Sequence, residues 1–300
     1  MLTKRRKHRN FFNHLARDSD MNKKLGLRPS VVAAACAALF AGSAIAQTPP
    51  PAAAPVAAPA AAPAAEPAKP EPDFTFTGNI GIFSQYVFRG VSQTNEKPAV
   101  QGGFDMAHKS GVYAGTWLSN VSWLSDCQCG VSNSLEWDLY AGWKYDLPYD
   151  LQSDLGVLYY YYPGSYPPGF TTPNTTELYA ALTWKFLQVK YSYSLNNQTF
   201  GIPDSRGSYY IEGNANYDIV DKVNDYIGKV TLIGHVGHQS FQNNSNFTYT
   251  DWKGGVAFDL SGYTIGLVGT GTDAKSAYYT NPYGKNIAGG QFVAYVQKTF

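Results

Sequence analysis

The 300-residue chain carries 23 Tyr, 16 Phe, 6 Trp and 29 Gly, and only 15% of its residues are charged. Aromatics and glycine at that density favour sheet and tight turns over helix. The formal charge of +1 is uneven: nine of the 23 Lys and Arg precede Gln47, and the rest holds 14 basic and 20 acidic residues, net −6, which argues against a nucleic-acid surface. A mean hydropathy of −0.27 does not argue against a membrane, because barrel strands alternate apolar with polar residues.

Met21-Asn-Lys-Lys opens a basic region, Val31 to Phe40 is a short apolar run, and Ala44-Ile-Ala46 supplies small residues at a cleavage point. This pattern predicts a secretory signal peptide cut after Ala46. Residues 1–20 either lengthen the basic region or reflect a start placed too early; the second reading is favoured, with Met21 as the true start. Cys36 lies inside the apolar run and leaves with the peptide. Residues 47–73 are almost entirely Ala and Pro and predict a linker without a core. Residues 74–300 are the expected folded domain.

That domain opens with Phe74 to Arg89. Phe74, Phe76, Ile80, Ile82, Tyr86 and Phe88 fall on one alternating face, and Thr75, Thr77, Asn79, Gln85 and Arg89 on the other. The alternation outruns an ordinary globular strand and predicts a membrane-spanning one. A tight loop over 91–97 leads to segments at 98–109 and 112–123. Segment 135–146 sets Leu135, Trp137, Leu139, Trp143 and Tyr145 against Glu136, Asp138, Tyr140, Lys144 and Asp146. Segments 151–162, 175–186, 187–197, 208–219, 230–242, 249–260, 263–272 and 291–300 complete a predicted set of twelve, with the last pairing to the first. Short connections on one side alternate with long Gly-, Pro- and Asn-rich ones on the other. Even strand number and that alternation predict an all-β, up-and-down transmembrane barrel in the bacterial outer membrane, in contact with its lipid. Tyr86, Trp117, Trp137, Trp143, Tyr159, Trp184 and Trp252 are expected in interfacial girdles. The terminal Phe300 is the kind of residue that barrel-assembly machinery reads.

The run Tyr86-Val-Phe-Arg-Gly-Val-Ser-Gln-Thr94, with Pro98 to Gly103, Tyr113 to Trp117 and Glu136 to Gly142, resembles the TorF family of proteobacterial porins. The resemblance spans roughly residues 73–300 and implies an outer-membrane barrel and a channel, without a substrate.

If the apolar faces meet lipid, the charges point inward, since Arg or Lys facing mid-membrane lipid would cost roughly 2–4 kcal/mol. Arg89, Glu136, Asp138, Tyr140, Lys144, Glu177, Lys190 and Glu212 are therefore the candidates for lumen and selectivity, with Asp154, Lys185 and Lys253 in or near the lumen. They either pair across strands and stiffen a narrow barrel or set the polarity of a pore; the mixed signs give no preference between anions and cations. Arg89 is placed at the outer mouth, either paired with an inward carboxylate or lining the path. No catalysis, cofactor or metal site is expected: His235 and His238 fall on opposite faces of one strand. Cys127 and Cys129 suggest a loop disulfide in an oxidising exterior. The function read from these residues is passive diffusion of small hydrophilic solutes, the alternative a closed structural or surface-recognition barrel that binds a partner through its extracellular loops.

Overall fold

The computed structural model describes residues 72–300. The signal peptide, Met21, Cys36 and the linker up to residue 71 lie outside the described residues. The strands are β1 (Phe74–Phe83), β2 (Val87–Phe88), β3 (Val91–Ser92), β4 (Ala99–His108), β5 (Val112–Asn120), β6 (Leu135–Leu147), β7 (Leu151–Tyr161), β8 (Thr175–Trp184), β9 (Leu187–Ser194), β10 (Tyr209–Val220), β11 (Ile227–Ser240), β12 (Tyr249–Leu260), β13 (Tyr263–Thr272) and β14 (Gln291–Thr299). One four-residue helix, α1 (Trp123–Asp126), follows β5. All strands but β2 and β3 form a closed antiparallel barrel of twelve; β2 and β3 pair only with each other.

Closure is made by β1 against β14, in register from Asn79↔Thr299 to Phe83↔Tyr295. Gly78 and Phe300 then exchange two backbone hydrogen bonds of 2.8 and 2.9 Å. A closed ladder satisfies the backbone without water, which hydrocarbon demands. The outer face supplies the matching surface: Ile82, Phe104, Leu155, Leu182, Val189 and Val236 are all at least half exposed. In water so much exposed apolar surface would be costly, at about 25 cal/mol per Å²; in lipid it is the solvent-matched face. Short turns close one end. Ser261-Gly262, with φ of 52° and 78°, is the two-residue turn whose twist suits a hairpin. The long connections close the other, outer end. This is the architecture of a bacterial outer-membrane barrel.

The interior differs between its halves. Toward the outer end the connections fold inward and build a core, with Phe88, Val91, Trp123, Leu124, Tyr160, Phe200, Ile202 and Ile287 almost wholly buried. Toward the short turns the inward face is polar and only half-buried, at Asp105, Tyr113, Tyr140, Asp154, Tyr179 and Lys190.

Three expectations, for the opening strand, the girdles and Lys185, are corrected. The opening strand ends at Phe83, not Arg89, because the chain leaves the wall after Ser84, which still bonds Ala294 of β14, and turns into the barrel. Tyr86 and Trp117 are consequently not girdle residues: they meet edge-on inside, with centroids 5.5 Å apart. Trp137, Trp143, Trp184 and Trp252 do stand exposed on the outer face. Lys185 sits in the β8–β9 connection at φ 54°, with its ammonium over Trp184, rather than in the lumen.

Candidate functional site

The connection between β1 and β4 is built as a second hairpin inside the first barrel. Val87 pairs with Ser92 and Phe88 with Val91, leaving Arg89-Gly90 as a two-residue turn. Both have positive φ, 43° and 80°, as such a turn requires. Gly90 is needed twice over: a Cβ there would overlap Thr272 and Asp251. Its base is fixed by Gln93 N–H to Tyr86 O at 2.7 Å and by Ser92 N–H to Ile287 O at 2.8 Å. Gln93 O accepts from Ser122 N–H at 2.9 Å, which ties the hairpin to the segment entering α1.

The tip carries the charge. Arg89 donates from Nη1 to Glu177 Oε1 at 3.1 Å and from Nη2 to Oε2 at 2.8 Å, a fork-on-fork pair. Nη1 also donates to Gln239 Oε1. The guanidinium lies 4.1 Å from the Tyr210 ring centroid, 4.8 Å from Phe88 and 5.7 Å from Phe200. Glu177 stands on β8 and Gln239 on β11, so the tip is fastened to separate parts of the wall. Both side chains of the ion pair are at most 3% exposed. Burial works most strongly against the Arg89 charge, but Glu177 together with Tyr160 and Tyr210 outweighs it and holds the guanidinium above its ordinary range. Arg89 is thus a buried, paired tip residue inside the barrel, level with the outer ends of β8 and β11; of the two roles open to it, the pair with an inward carboxylate is the one observed.

Two buried carboxylates lie beside the hairpin. Glu136 accepts from Tyr86 OH at 2.7 Å. Burial first, then Glu136 and Asp138, push the Tyr86 hydroxyl up, so that it remains a donor. Asp138 is 1% exposed and neither of its oxygens has a hydrogen-bond partner among the described residues.

A third cluster continues around the wall. Tyr210 OH donates to Asp251 Oδ2 at 2.8 Å. His235 faces Asp251 Oδ1 at 2.9 Å through Nε2 and Asn214 Oδ1 at 2.7 Å through Nδ1. Glu212 accepts from Asn214 at 3.0 Å and is the cross-strand partner of Lys190. Tyr210 can lie flat here only because position 237 is glycine, where a Cβ would collide with its hydroxyl. His238 points the other way, to Thr250 Oγ1 at 3.0 Å.

Below the hairpin, Tyr140 donates to Asp105 and Tyr113 to Asp154, each at 2.6 Å. Lys190 lies 4.3 Å over Tyr179 and Lys144 5.1 Å over Tyr113. The eight candidates therefore split: Arg89 and Glu177 lock together, Glu136 and Asp138 are sealed beside them, and Tyr140, Lys144, Lys190 and Glu212 lie nearer the open half. Gln239, Tyr210, Phe200 and Asp251 complete the site and were not anticipated, although Tyr210, Gln239 and Asp251 all fall on inward alternating positions. Cys127 and Cys129 form a disulfide with Cα atoms 5.2 Å apart, and Cys127 packs in the outer core. No group of three or more His, Cys, Asp and Glu among the described residues is arranged to hold a metal.

Residues 65–300 match the model of a family described as "Bacterial protein of unknown function (Gcw_chp)". The chain belongs to this family. No curated protein matches it. Among solved structures, the chain is similar to the KdgM porin in complex with disordered oligogalacturonate, with 9% identity over 75% of this chain and 99% of that one, TM-score 0.44. It is also similar to the NanC porin, with 12% identity, 74% and 98% coverage and TM-score 0.44. An outer membrane channel from Pseudomonas putida F1 gives 12%, 78%, 100% and 0.44. The closed ladder, not these distant likenesses, defines the fold of this Gcw_chp protein.

Proposed function

We propose that this protein is a gated outer-membrane porin for small hydrophilic solutes, and that residues 85–97 are its gate. One observation carries the reading: the wall does not need the hairpin. Phe83 and Ala99 are already in register and Ser84 is bonded to Ala294 of β14, so residues 85–97 can leave the lumen without breaking the β1–β4 ladder. Beneath them the inward face is polar, as a water-filled path requires. The resemblance of the Tyr86–Thr94 run to the TorF porins supports the same reading.

Passage is then passive, with the described conformation closed. Release of the hairpin exposes Glu177, Glu136 and Asp138 and removes Arg89, leaving a constriction dominated by carboxylate. Planar-bilayer recording of the purified protein tests this: brief discrete steps are expected, and silence at every salt and voltage refutes it. Neutralising Glu136 and Asp138 together (E136Q/D138N) shifts the reversal potential if they line the open path; an unchanged potential removes them from it.

A barrel that binds a partner through its outer loops and never conducts is the second reading. It is favoured by the extent of the outer core, which buries Phe88, Val91, Phe200, Ile202 and Ile287 completely.

A further inference from the structure

The seat of Arg89 has the composition of a receptor for an organic cation rather than of a plain ion pair. Apart from the hairpin's own residues it is walled by Glu177, Gln239 and Tyr210 from β8, β11 and β10, and by Phe200 from the β9–β10 connection. They offer a carboxylate in fork geometry, an amide oxygen and two aromatic faces at 4.1 and 5.7 Å. A planar guanidinium satisfies such a set, because it presents paired donors in its edge and a weakly hydrated face to the rings. Glu177 is further oriented by Tyr160 OH at 3.2 Å, and the Tyr210 ring by Asp251 at 2.8 Å. Both supports come from residues outside the hairpin.

The resident group fits imperfectly. Arg89 Nε has no acceptor among the described residues. Its backbone is held at φ 43°, a left-handed conformation that a non-glycine residue avoids. A ligand free of that backbone would meet the same walls without this strain.

We propose that the Glu177–Gln239–Tyr210–Phe200 box is a binding site for small guanidinium-bearing cations, and that Arg89 occupies it in cis as an exchangeable stand-in. This rests on the gated-channel reading in one respect: it names the class of solute that would displace the hairpin and pass. Binding itself needs no conduction, so the two can fail separately.

The test uses methylguanidinium as probe and urea as its neutral, equally planar control, on full-length protein in detergent. In the wild type, millimolar methylguanidinium should raise amide exchange at Ser92 and Gln93 several-fold, because it competes with Arg89, while urea at the same concentration leaves exchange unchanged. In Arg89→Ala, methylguanidinium should bind with a measurable heat and raise the melting temperature, and Glu177→Gln added to that variant should abolish both effects. Equal effects of urea, or no effect of methylguanidinium on wild-type exchange, overturns the proposal even if R89A does not fold. In bilayers, methylguanidinium should block or permeate a hairpin-free barrel; binding in detergent without any current in bilayers upholds the site and refutes the channel.

Discussion

Replacing Glu177 by Gln isolates the contact on which closure depends. Removing one partner of a buried ion pair typically costs about 3–5 kcal/mol, because the other charge is left uncompensated. Here part of that is recovered, because the Gln oxygen still accepts one bond, worth about 1 kcal/mol; the Tyr210 and Phe88 rings at 4.1 and 4.8 Å face the cation in both proteins and cancel in the difference. The net loss is about 2–4 kcal/mol, or roughly 30- to 700-fold in the ratio of seated to released hairpin at 1.4 kcal/mol per decade. The loss falls on the hairpin and not on the wall, since a released Arg89 regains water while the ladder stays paired. Amide exchange reads this directly: Ser92 and Gln93, bonded to Ile287 and Tyr86, should exchange faster by that factor in E177Q, with β8 and β11 protection unchanged. Unaltered exchange at Ser92 and Gln93 refutes the latch. So does an R89A/E177Q double variant whose effect equals the sum of the two singles.

Four further outcomes follow from the same geometry. Asp138→Asn should raise the melting temperature, by an amount equivalent to about 1–3 kcal/mol, because it removes a buried carboxylate with no partner; a lowered melting temperature would mean that the charge is compensated. Gly90→Ala should expose the hairpin to trypsin at Arg89, since it adds both the φ penalty and overlap with Thr272 and Asp251; cleavage no faster than wild type contradicts the tip placement. Burial first, then Glu136 and Asp138, raises the hydroxyls of both Tyr86 and Tyr162. Groups raised on folding contribute stability that is present below their unfolded value of about 10 and lost as pH rises above it, so hairpin protection should fall as pH rises above about 10. Deleting Phe300 removes its two backbone bonds to Gly78 and should reduce the heat-modifiable, folded fraction recovered from outer membranes; an undiminished fraction would free the last residue of any assembly role.

Much of the wall was legible because a lipid-facing barrel writes itself into the sequence with period two. Leu139, Leu155 and Leu182 face out, and Glu136, Asp138 and Lys144 face in, as alternation requires. The seam between β1 and β14 followed from even strand number and closure. The inner hairpin was not legible, for a specific reason. Tyr86-Val-Phe-Arg-Gly-Val-Ser continues the apolar alternation of β1, so it reads as more strand. Its only break is Arg89-Gly90, and Arg is an uncommon first residue for a turn with two positive φ angles, where Asn or Asp is the usual signal. The site shared this blind spot: with residues 84–89 read as wall, nothing in the sequence drew Gln239, Tyr210 and Phe200 toward Glu177. Those contacts join residues up to 150 positions apart and depend on the folded lumen. Gly237 left a trace, being an inward glycine between His235 and Gln239 whose use appears only once Tyr210 lies across it.

Single-channel recording of a variant in which residues 85–97 are replaced by a two-residue turn, beside the wild type, is the most direct test of a gated barrel. Because Phe83 already pairs with Ala99, the variant should fold and insert. Long-lived open steps with cation selectivity are expected from it, against rare and brief ones from the wild type. A folded, inserted variant that carries no current would contradict the gate and leave a closed barrel in its place.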